Sequence, residues 1–236
     1  MTMEAPDLVI PVRETAVNEQ LRYALRTWTA NLPHRKVWVV GYRPTWLRNV
    51  EHIPTVQPGT KYQNTTIAVR AACEHPDVSA RFLLMNDDFF VMQRQDQMPV
   101  LHRGPVREVE RYYAARASGK YLTGMRETRD LLVGLGYDDP LSYELHVPLP
   151  VEKDRMLEAL DVGRRLTAVH KRTLYGTLAG LGGQRIEDVK VLHRGPRFPH
   201  GPWLSTMPDA FANGMVGRHI RTAFFRPSHY EITGRR

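Results

Sequence analysis

Two adjacent acids interrupt the most apolar part of the chain, the segment RFLLMNDDFFVM. Residues 82–85 and 89–92 are apolar and predict buried structure, whereas Asn86, Asp87 and Asp88 need water, a hydrogen-bond partner or a cation. Burying an unpaired carboxylate costs several kcal/mol, so the fold must have a reason to place two there. One reason is a turn, because Asn and Asp commonly join hairpin strands. The other is a divalent metal at the end of a buried strand, and both interpretations are open at this point.

Strands and helices alternate through the first hundred residues. Apolar, β-branched runs predict strands over Asp7–Val12, KVWVVGY and RFLLM, and helices are predicted at about 19–31, capped by Asn18, and at 64–74. This order predicts an α/β fold with an open, mostly parallel sheet flanked by helices. In such sheets ligands bind outside the carboxyl ends of the strands, and Asp87 and Asp88 follow such an end.

The pattern changes after about residue 100. Four helices are predicted between about 106 and 180, with the extended, proline-marked stretch DDPLSYELHVPLP between the second and the third. RIEDVKVLHRGP is predicted to be strand, followed by a helix at about 208–225 capped by Ser205 or Thr206. The predicted regions are an α/β half over 1–100, a mainly helical insertion over 101–185, and a C-terminal segment over 186–236.

Composition restricts the class of protein and of partner. The 236 residues suit one domain, with or without an inserted subdomain. Cys73 is the only cysteine, which excludes an internal disulfide and a cysteine-based zinc site. No membrane-spanning run and no secretory signal are recognised, so a cytoplasmic protein is predicted. The net charge of +8 favours polyanionic partners, such as nucleic acid, a phosphorylated polymer or a nucleotide diphosphate, although a basic surface also aids solubility.

Four segments, in order, resemble the Stealth-type transferases of the glycosyltransferase-A-like superfamily. NEQLRYALRTWTANLPHRKVWVVGYRPTWL is similar to that family's ELRYSLRS…P…IYIVTDGQ.P.WL, and QNTTIAVRAACEHPDVSARFLLMNDDFFV is similar to FNS.AIE…I.GLS.RFLYLNDD.F. YELHVPLPVEKDRM and LSTMPDAFANGMVGRHIRTAFFRPSHYE resemble its third and fourth regions. The family's opening VYTWVDG-like motif is represented here only by LVIPVRET, which lacks the Trp and the acid.

The resemblance implies a glycosyltransferase-A-like fold, a UDP- or GDP-sugar donor bound by region 1–100, and Mn²⁺ or Mg²⁺. Stealth members transfer a hexose-1-phosphate, whereas other members of the fold transfer the sugar alone. A diphosphate leaving group needs a cation beside it, and hard cations accept one or two carboxylates. Asp88 and Asp87 are the predicted metal ligands, with Asn86 and Asp87 beside the donor. In the C-terminal segment, Asp209 is predicted to complete the metal shell or to act as a base, unless it merely begins a helix.

Other residues are candidates for binding phosphate or for proton transfer. Arg22 and Arg26 share one helix face and either clamp phosphate or form a solvated basic surface. Asn64, with Lys61 before it, begins a predicted helix and either binds an anion there or caps the helix. His146, in the third resembling segment, is the candidate general base, although any one of ten histidines is more often structural.

The leading prediction is a metal-dependent glycosyltransferase that uses a nucleotide-diphosphate sugar to modify a hydroxyl acceptor, with a polyanion such as hydroxymethylated DNA favoured as that acceptor. One alternative is a Stealth-like hexose-1-phosphate transferase. The other is a non-catalytic, basic nucleic-acid-binding protein on a transferase-like scaffold, whose binding would weaken steeply with salt.

Overall fold

The computed structural model describes residues 5–115 and 119–232. Its strands are β1 (Asp7–Val12), β2 (Val37–Gly41), β3 (Glu51–Ile53), β4 (Arg81–Leu84), β5 (Phe89–Val91), β6 (Leu101–His102), β7 (Leu149–Glu152), β8 (Gln184–Arg185), β9 (Lys190–Val191) and β10 (Trp203–Thr206). Its helices are α1 (Glu19–Asn31), α2 (Lys61–Glu74), α3 (Val106–Ala114), α4 (Lys120–Gly134), α5 (Lys153–Val162), α6 (Lys171–Leu178), α7 (Pro208–Asn213) and α8 (Met215–Ala223).

A five-stranded open sheet forms the centre of the protein, in the order β3-β2-β1-β4-β7. The first four strands are mutually parallel and β7 is antiparallel to β4. The prediction of an α/β fold with a mostly parallel sheet flanked by helices is therefore confirmed. Because β1, β2 and β4 are parallel, their carboxyl ends meet along one edge, which places the start of α1 beside the residues that follow β4.

Side chains alternate between the two faces of the sheet, as the period of a strand requires. Leu8 and Ile10 of β1 pack with α1 and α8, in a core that includes Trp28 and Ile220. Val9 faces the opposite side, where strand residues pack with α2, α5 and α6. The sheet thus has helices on both faces.

The segment 101–185 shares the core of the central sheet. Its strand β7 pairs with β4, and Met156 of α5 and Leu174 of α6 belong to the same apolar cluster as Val9. In the described ranges, no helix combines the length and the apolar character that crossing a membrane requires.

Several elements differ from the predictions. Helix α2 begins at Lys61, three residues before the predicted start, because Thr60 and Gln63 form a reciprocal capping box. The single helix predicted at about 208–225 is two helices, broken at Gly214. Ser205 and Thr206, predicted as its caps, lie instead in β10. The short strand β3 was not predicted, since only three residues of a Pro-rich loop extend along β2.

A second, three-stranded sheet stands at the end of β4, in the order β5-β10-β9. Strand β5 starts five residues after β4 ends, runs antiparallel to β10, and β10 is parallel to β9. A short parallel pair joins the two ends of the segment 101–185, with β6 at its start and β8 at its end. The two larger sheets therefore meet at the acid pair.

Candidate active site

The acid pair forms a buried turn between the two larger sheets. β4 ends at Leu84, and the N–H of Phe89 donates to the carbonyl of Asn86 at 3.3 Å, which closes the turn. Asp88 is only 8% exposed, so the pair is not at an exposed hairpin tip. The turn interpretation is right for the local backbone, but the turn joins different sheets and places two carboxylates at the carboxyl edge of the central one. Such a position requires compensating partners.

Asp88 receives those partners from the second sheet. Lys190 of β9 forms an ion pair with its Oδ2, and the hydroxyl of Ser205 donates to the same oxygen at 2.9 Å. The register of β10 pairs Ser205 with Lys190 on one side and with Phe89 on the other. Strand pairing alone therefore brings an ammonium group and a hydroxyl to one carboxylate.

Asp87 is held from the start of α1. Asn18, the N-cap, has a left-handed φ of 52°, and its Oδ1 accepts from the N–H of Leu21. Its Nδ2 donates to Oδ2 of Asp87 at 2.9 Å. Burial, together with the charge of Asp88, raises the pKa of Asp87 above its ordinary value. A cation at this position would stabilise the charged carboxylate.

A histidine–aspartate pair lies on the other side of Phe89. Nδ1 of His146 is 3.0 Å from each carboxylate oxygen of Asp188, and the backbone N–H of His146 also donates to Asp188. Arg103 lies 3.6 Å from the same carboxylate. Burial acts to raise the pKa of Asp188, but the hydrogen bond from His146 and the charges of His146 and Arg103 outweigh it and hold this pKa below its usual value.

Arg172 links this pair to the acids. Its guanidinium donates to the backbone carbonyls of Leu145 and Val147, which flank His146, and lies 5.4 Å from the centre of the Phe89 ring. That ring meets the imidazole of His146 edge-on at 6.2 Å. Burial lowers the pKa of Arg172 to about 10, although nearby carboxylates act to raise it, so the group is charged at neutral pH. Its positive charge is felt by the carboxylates of Glu144, Asp188 and Asp88, most strongly by that of Glu144.

The ends of β1 and β2 continue this edge of the sheet. Gly41 has a φ of +108°, and a Cβ there would lie 2.5 Å from the carbonyl oxygen of Val12, so only glycine fits. Nε2 of Gln57 donates to that oxygen at 2.8 Å. The buried hydroxyls of Thr15 and Thr55 have no hydrogen-bond partner among the described residues. Unsatisfied hydroxyls at a strand edge are suited to a polar ligand.

The chemistry of the acid pair fits a divalent cation that a ligand's phosphates help to bind. Asp87 and Asp88 supply two carboxylates, and Mg²⁺ is commonly held by one or two carboxylates plus phosphate oxygens and water. The described residues contain no group of three or more His, Cys, Asp and Glu arranged as a metal cage. Lys190 already contacts Asp88, so a metal would share that carboxylate with the ammonium or displace it.

Arg22 and Arg26, predicted to clamp phosphate, both face an acid of this chain. Two nitrogens of Arg26 donate to Glu231 at 2.8 and 2.7 Å, and a third donates to the carbonyls of Phe224 and Phe225. Arg22 reaches Glu19 at 2.9 Å and Glu231 at 3.3 Å. These contacts fix the C-terminal segment onto α1. The anionic partners of both arginines in the structure are carboxylates of this chain.

Lys61 and Asn64 lie at the first turn of α2. Asn64 does not cap this helix, because Thr60 does; instead its side chain exchanges two hydrogen bonds with the backbone of Gly59, at 2.9 and 3.0 Å. Lys61 is exposed, with its ammonium 5.0 Å from the ring of Tyr62. Asn64 thus fixes the conformation of the loop between β3 and α2, and Lys61 adds a positive charge beside it. This loop contains Gln57, which contacts the end of β1.

Asp209 is held away from the acid pair by a surface ion pair. Arg194 forms two hydrogen bonds with it, at 2.7 and 2.6 Å, and Asn213 donates a third at 3.0 Å. The hydrogen bonds from Arg194 and Asn213 lower the pKa of Asp209 to about 2. It lies in the first turn of α7, as the helix-start interpretation predicts. No contact joins it to Asp87, Asp88 or His146 within the described residues.

Several site residues were not predicted from the sequence: Asn18 as a partner of Asp87, and Arg103, Arg172, Asp188, Lys190 and Ser205. One signal was present. RIEDVKVLHRGP was predicted to be strand, and in a strand residues 188 and 190 point to the same face. In the structure only Arg185 and Lys190–Val191 of this segment are strand, and Asp188 lies in the loop before β9. Which carboxylate or histidine they meet depends on pairings between distant segments.

No protein-family model matches the chain, and no curated protein matches it.

Proposed function

We propose that this protein is a glycosyltransferase that uses a nucleotide-diphosphate sugar to modify a hydroxyl acceptor. The observation that carries the proposal is the buried Asp87–Asp88 turn at the carboxyl edge of a mostly parallel sheet, with the His146–Asp188 pair on the far side of Phe89. The resemblance of the sequence to Stealth-type transferases supports the same assignment. A glycosyltransferase-A-like arrangement of the sheet is part of this proposal.

The donor is proposed to bind along the edge formed by β1, β2 and the acid turn. In open α/β sheets this edge is where ligands bind. The unpartnered hydroxyls of Thr15 and Thr55 are available to the nucleoside, and the diphosphate extends toward Asp87 and Asp88. Lys190 then lies beside the phosphates as a second positive group.

Asp87 and Asp88 would hold Mn²⁺ or Mg²⁺. When bound, the metal supplies charge neutralisation to the departing diphosphate. Lys190, on Oδ2 of Asp88, adds a positive charge that belongs to the protein, and Asn18 and Ser205 keep the two carboxylates oriented by hydrogen bonds. The chain's own part in this step is therefore to bind and orient the donor phosphates.

His146 is proposed to be the general base. Because Nδ1 points at the carboxylate of Asp188, its proton stays on that side and Nε2 is the nitrogen that accepts a proton. The acceptor hydroxyl attacks the anomeric carbon, a C–O bond forms there, and the bond from that carbon to the diphosphate oxygen breaks. The hydroxyl proton passes to Nε2, while the diphosphate keeps the bonding electrons.

The direct test is incubation of the protein with UDP- and GDP-sugars, Mn²⁺ and a panel of hydroxyl acceptors. Release of the nucleoside diphosphate supports glycosyl transfer. Release of the nucleoside monophosphate instead identifies hexose-1-phosphate transfer, the reaction of the Stealth family. If no donor yields either product with any acceptor, and no donor binds, the proposal fails.

Replacing Asp188 with asparagine is expected to lower kcat by about 100-fold or more, with little change in donor affinity. A positioned general base contributes on the order of 10²–10⁴-fold, and asparagine neither holds the imidazole tautomer nor stabilises its protonated form. Steady-state kinetics with equilibrium donor binding measure the two quantities. Asp161→Asn is the matched control, because Asp161 is an exposed partner of Arg70. Wild-type kcat in Asp188→Asn would remove His146 and Asp188 from the mechanism.

A further inference from the structure

Positive charge is concentrated in one stretch of the chain. Residues 189–230 contain six Lys and Arg residues and one acid, Asp209, which gives net +5 of the chain's total of +8 in less than a fifth of its length. The six are Lys190, Arg194, Arg197, Arg218, Arg221 and Arg226. Four of the ten histidines lie in the same stretch. A composition this one-sided is expected of a surface that meets a polyanion.

The fold gathers much of this stretch onto one surface. The loop 192–202 packs on α8: the N–H of Met215 donates to the carbonyl of Arg194 at 3.1 Å, and the ring of His219 lies 5.5 Å from Phe198 and 6.3 Å from His200. We call the exposed residues of this contact the basic face. They are His193, Arg197, His200, Arg218 and His219.

The arginines of the basic face are not neutralised within the described chain. Asp209, the one acid of the stretch, is already bound by Arg194 through two hydrogen bonds. Arg197 and Arg218 are exposed and form no ion pair with any residue of 5–115 or 119–232. Their charges are therefore available to an external anion.

The basic face is connected along the chain to the candidate active site. The loop 192–202 connects β9 to β10, and these two strands supply the residues that contact Asp88, Lys190 from one and Ser205 from the other. A polymer bound to this loop would therefore be attached to β9 and β10, the two strands whose side chains contact Asp88.

Aromatic rings among the cations favour nucleic acid over other polyanions. His200 and His219 of the basic face are exposed, and their ring centres lie 5.0 and 5.5 Å from that of Phe198. Unpaired bases stack on such rings and on arginine planes, whereas a phosphorylated glycan or a polyphosphate chain offers no aromatic face.

We propose that the basic face binds single-stranded nucleic acid and delivers it to the active site as the acceptor. The binding itself is independent of catalysis. Only the acceptor role rests on the proposed function, and it requires a hydroxyl on an accessible base or sugar. The charges of Arg197 and Arg218 hold the backbone, while the rings of His200 and His219 contact bases.

The test is the anisotropy of a fluorescein-labelled, mixed-sequence DNA strand of about 20 nucleotides, titrated with the full chain over a series of salt concentrations. We expect Arg197→Ala/Arg218→Ala to weaken binding at least about tenfold and to reduce the slope of log K against log salt by about 1.4, because each phosphate that a protein neutralises on a single strand contributes about 0.7 to that slope. Arg164→Ala/Arg165→Ala removes the same charge from an exposed turn between α5 and α6 and should leave both quantities near wild type.

Four results would overturn the proposal. They are no measurable binding, equal weakening by the two double variants, competition by inorganic polyphosphate as effective as that by unlabelled DNA, and His219→Ala binding like the wild type. The Asp88→Asn variant should bind the DNA probe normally and should lose binding of the nucleotide sugar. If the DNA probe does not bind to a protein that still transfers sugar, only this inference is rejected. If the probe binds normally but no donor is turned over, only the proposed function is rejected.

Discussion

Replacing Asp88 with asparagine is expected to lower kcat/KM for donor-dependent transfer by about 10³-fold, the scale of losing one preorganised electrostatic group in a site. Asp88 is buried and shares its Oδ2 between Lys190 and Ser205. Without the carboxylate, Lys190 loses its anionic partner and the proposed metal loses a ligand, so the diphosphate of the proposed donor is no longer oriented and its charge is no longer neutralised. The measurements are initial rates with Mn²⁺ and equilibrium binding of the nucleotide sugar.

Stability is the confounding effect in this experiment, because asparagine leaves Lys190 nearly buried beside a neutral group. Urea unfolding of Asp88→Asn, and of Asp88→Asn with Lys190→Met, separates lost stability from lost chemistry, since the second variant removes the stranded charge. Asp96→Asn is the matched control, because Asp96 is an exposed acid paired with Arg94 on the surface. A folded Asp88→Asn protein that binds donor and turns over like the control would exclude Asp88 from the site.

The sequence was sufficient for elements that local physics determines. Residues 8–12 and 37–40 are continuous apolar runs. Helix α1 occupies its predicted range because Asn18 can cap it and Leu21, Leu25 and Trp28 give it one apolar side. The position of the acid pair after β4 followed from the same reasoning. For each of these, the deciding interactions lie within a few residues.

Contacts between distant segments could not be predicted from sequence patterns. His146 was predicted as a candidate, but its partner Asp188 lies 42 residues away, and Lys190 is 102 residues from Asp88. No periodicity specifies such pairs, because they arise from the register of β9 and β10 and from the path of the segment 101–185. The family resemblance was sufficient to select His146 as a candidate general base, whereas its partner, Asp188, is identified only by the fold.

Arg22 and Arg26 illustrate the same limit on one helix. The spacing correctly places both on one face, and an arginine face is suited to phosphate. In the fold, however, the anion they meet is Glu231, which lies 205 residues after Arg26. Its side chain is 2% exposed and that of Arg26 is 9% exposed, so this is a buried ion pair at the junction of α1 and the C-terminal segment.

Replacing Glu231 with glutamine is expected to lower the free energy of unfolding by about 3 kcal/mol, because it leaves the guanidinium of Arg26 buried without a counter-charge. Denaturant unfolding at neutral pH measures this loss. Glu19→Gln is the matched control: Glu19 pairs with Arg22 at an exposed position, where an ion pair contributes about 1 kcal/mol or less. Arg26→Met with Glu231→Leu removes both charges and should recover most of the stability.

The pH dependence of this loss identifies its origin. Burial acts to raise the pKa of Glu231, but hydrogen bonds from Arg26 and from the N–H of Ser228 outweigh it, so the folded pKa lies below the ordinary value. The stabilisation is therefore complete above the unfolded pKa of roughly 4.3 and is lost as the pH falls through the lower folded value. The difference between wild type and Glu231→Gln should shrink in that acidic window. A difference that stays constant there would mean that Glu231 acts by packing rather than by charge, and Arg26 would then again be a candidate for binding phosphate.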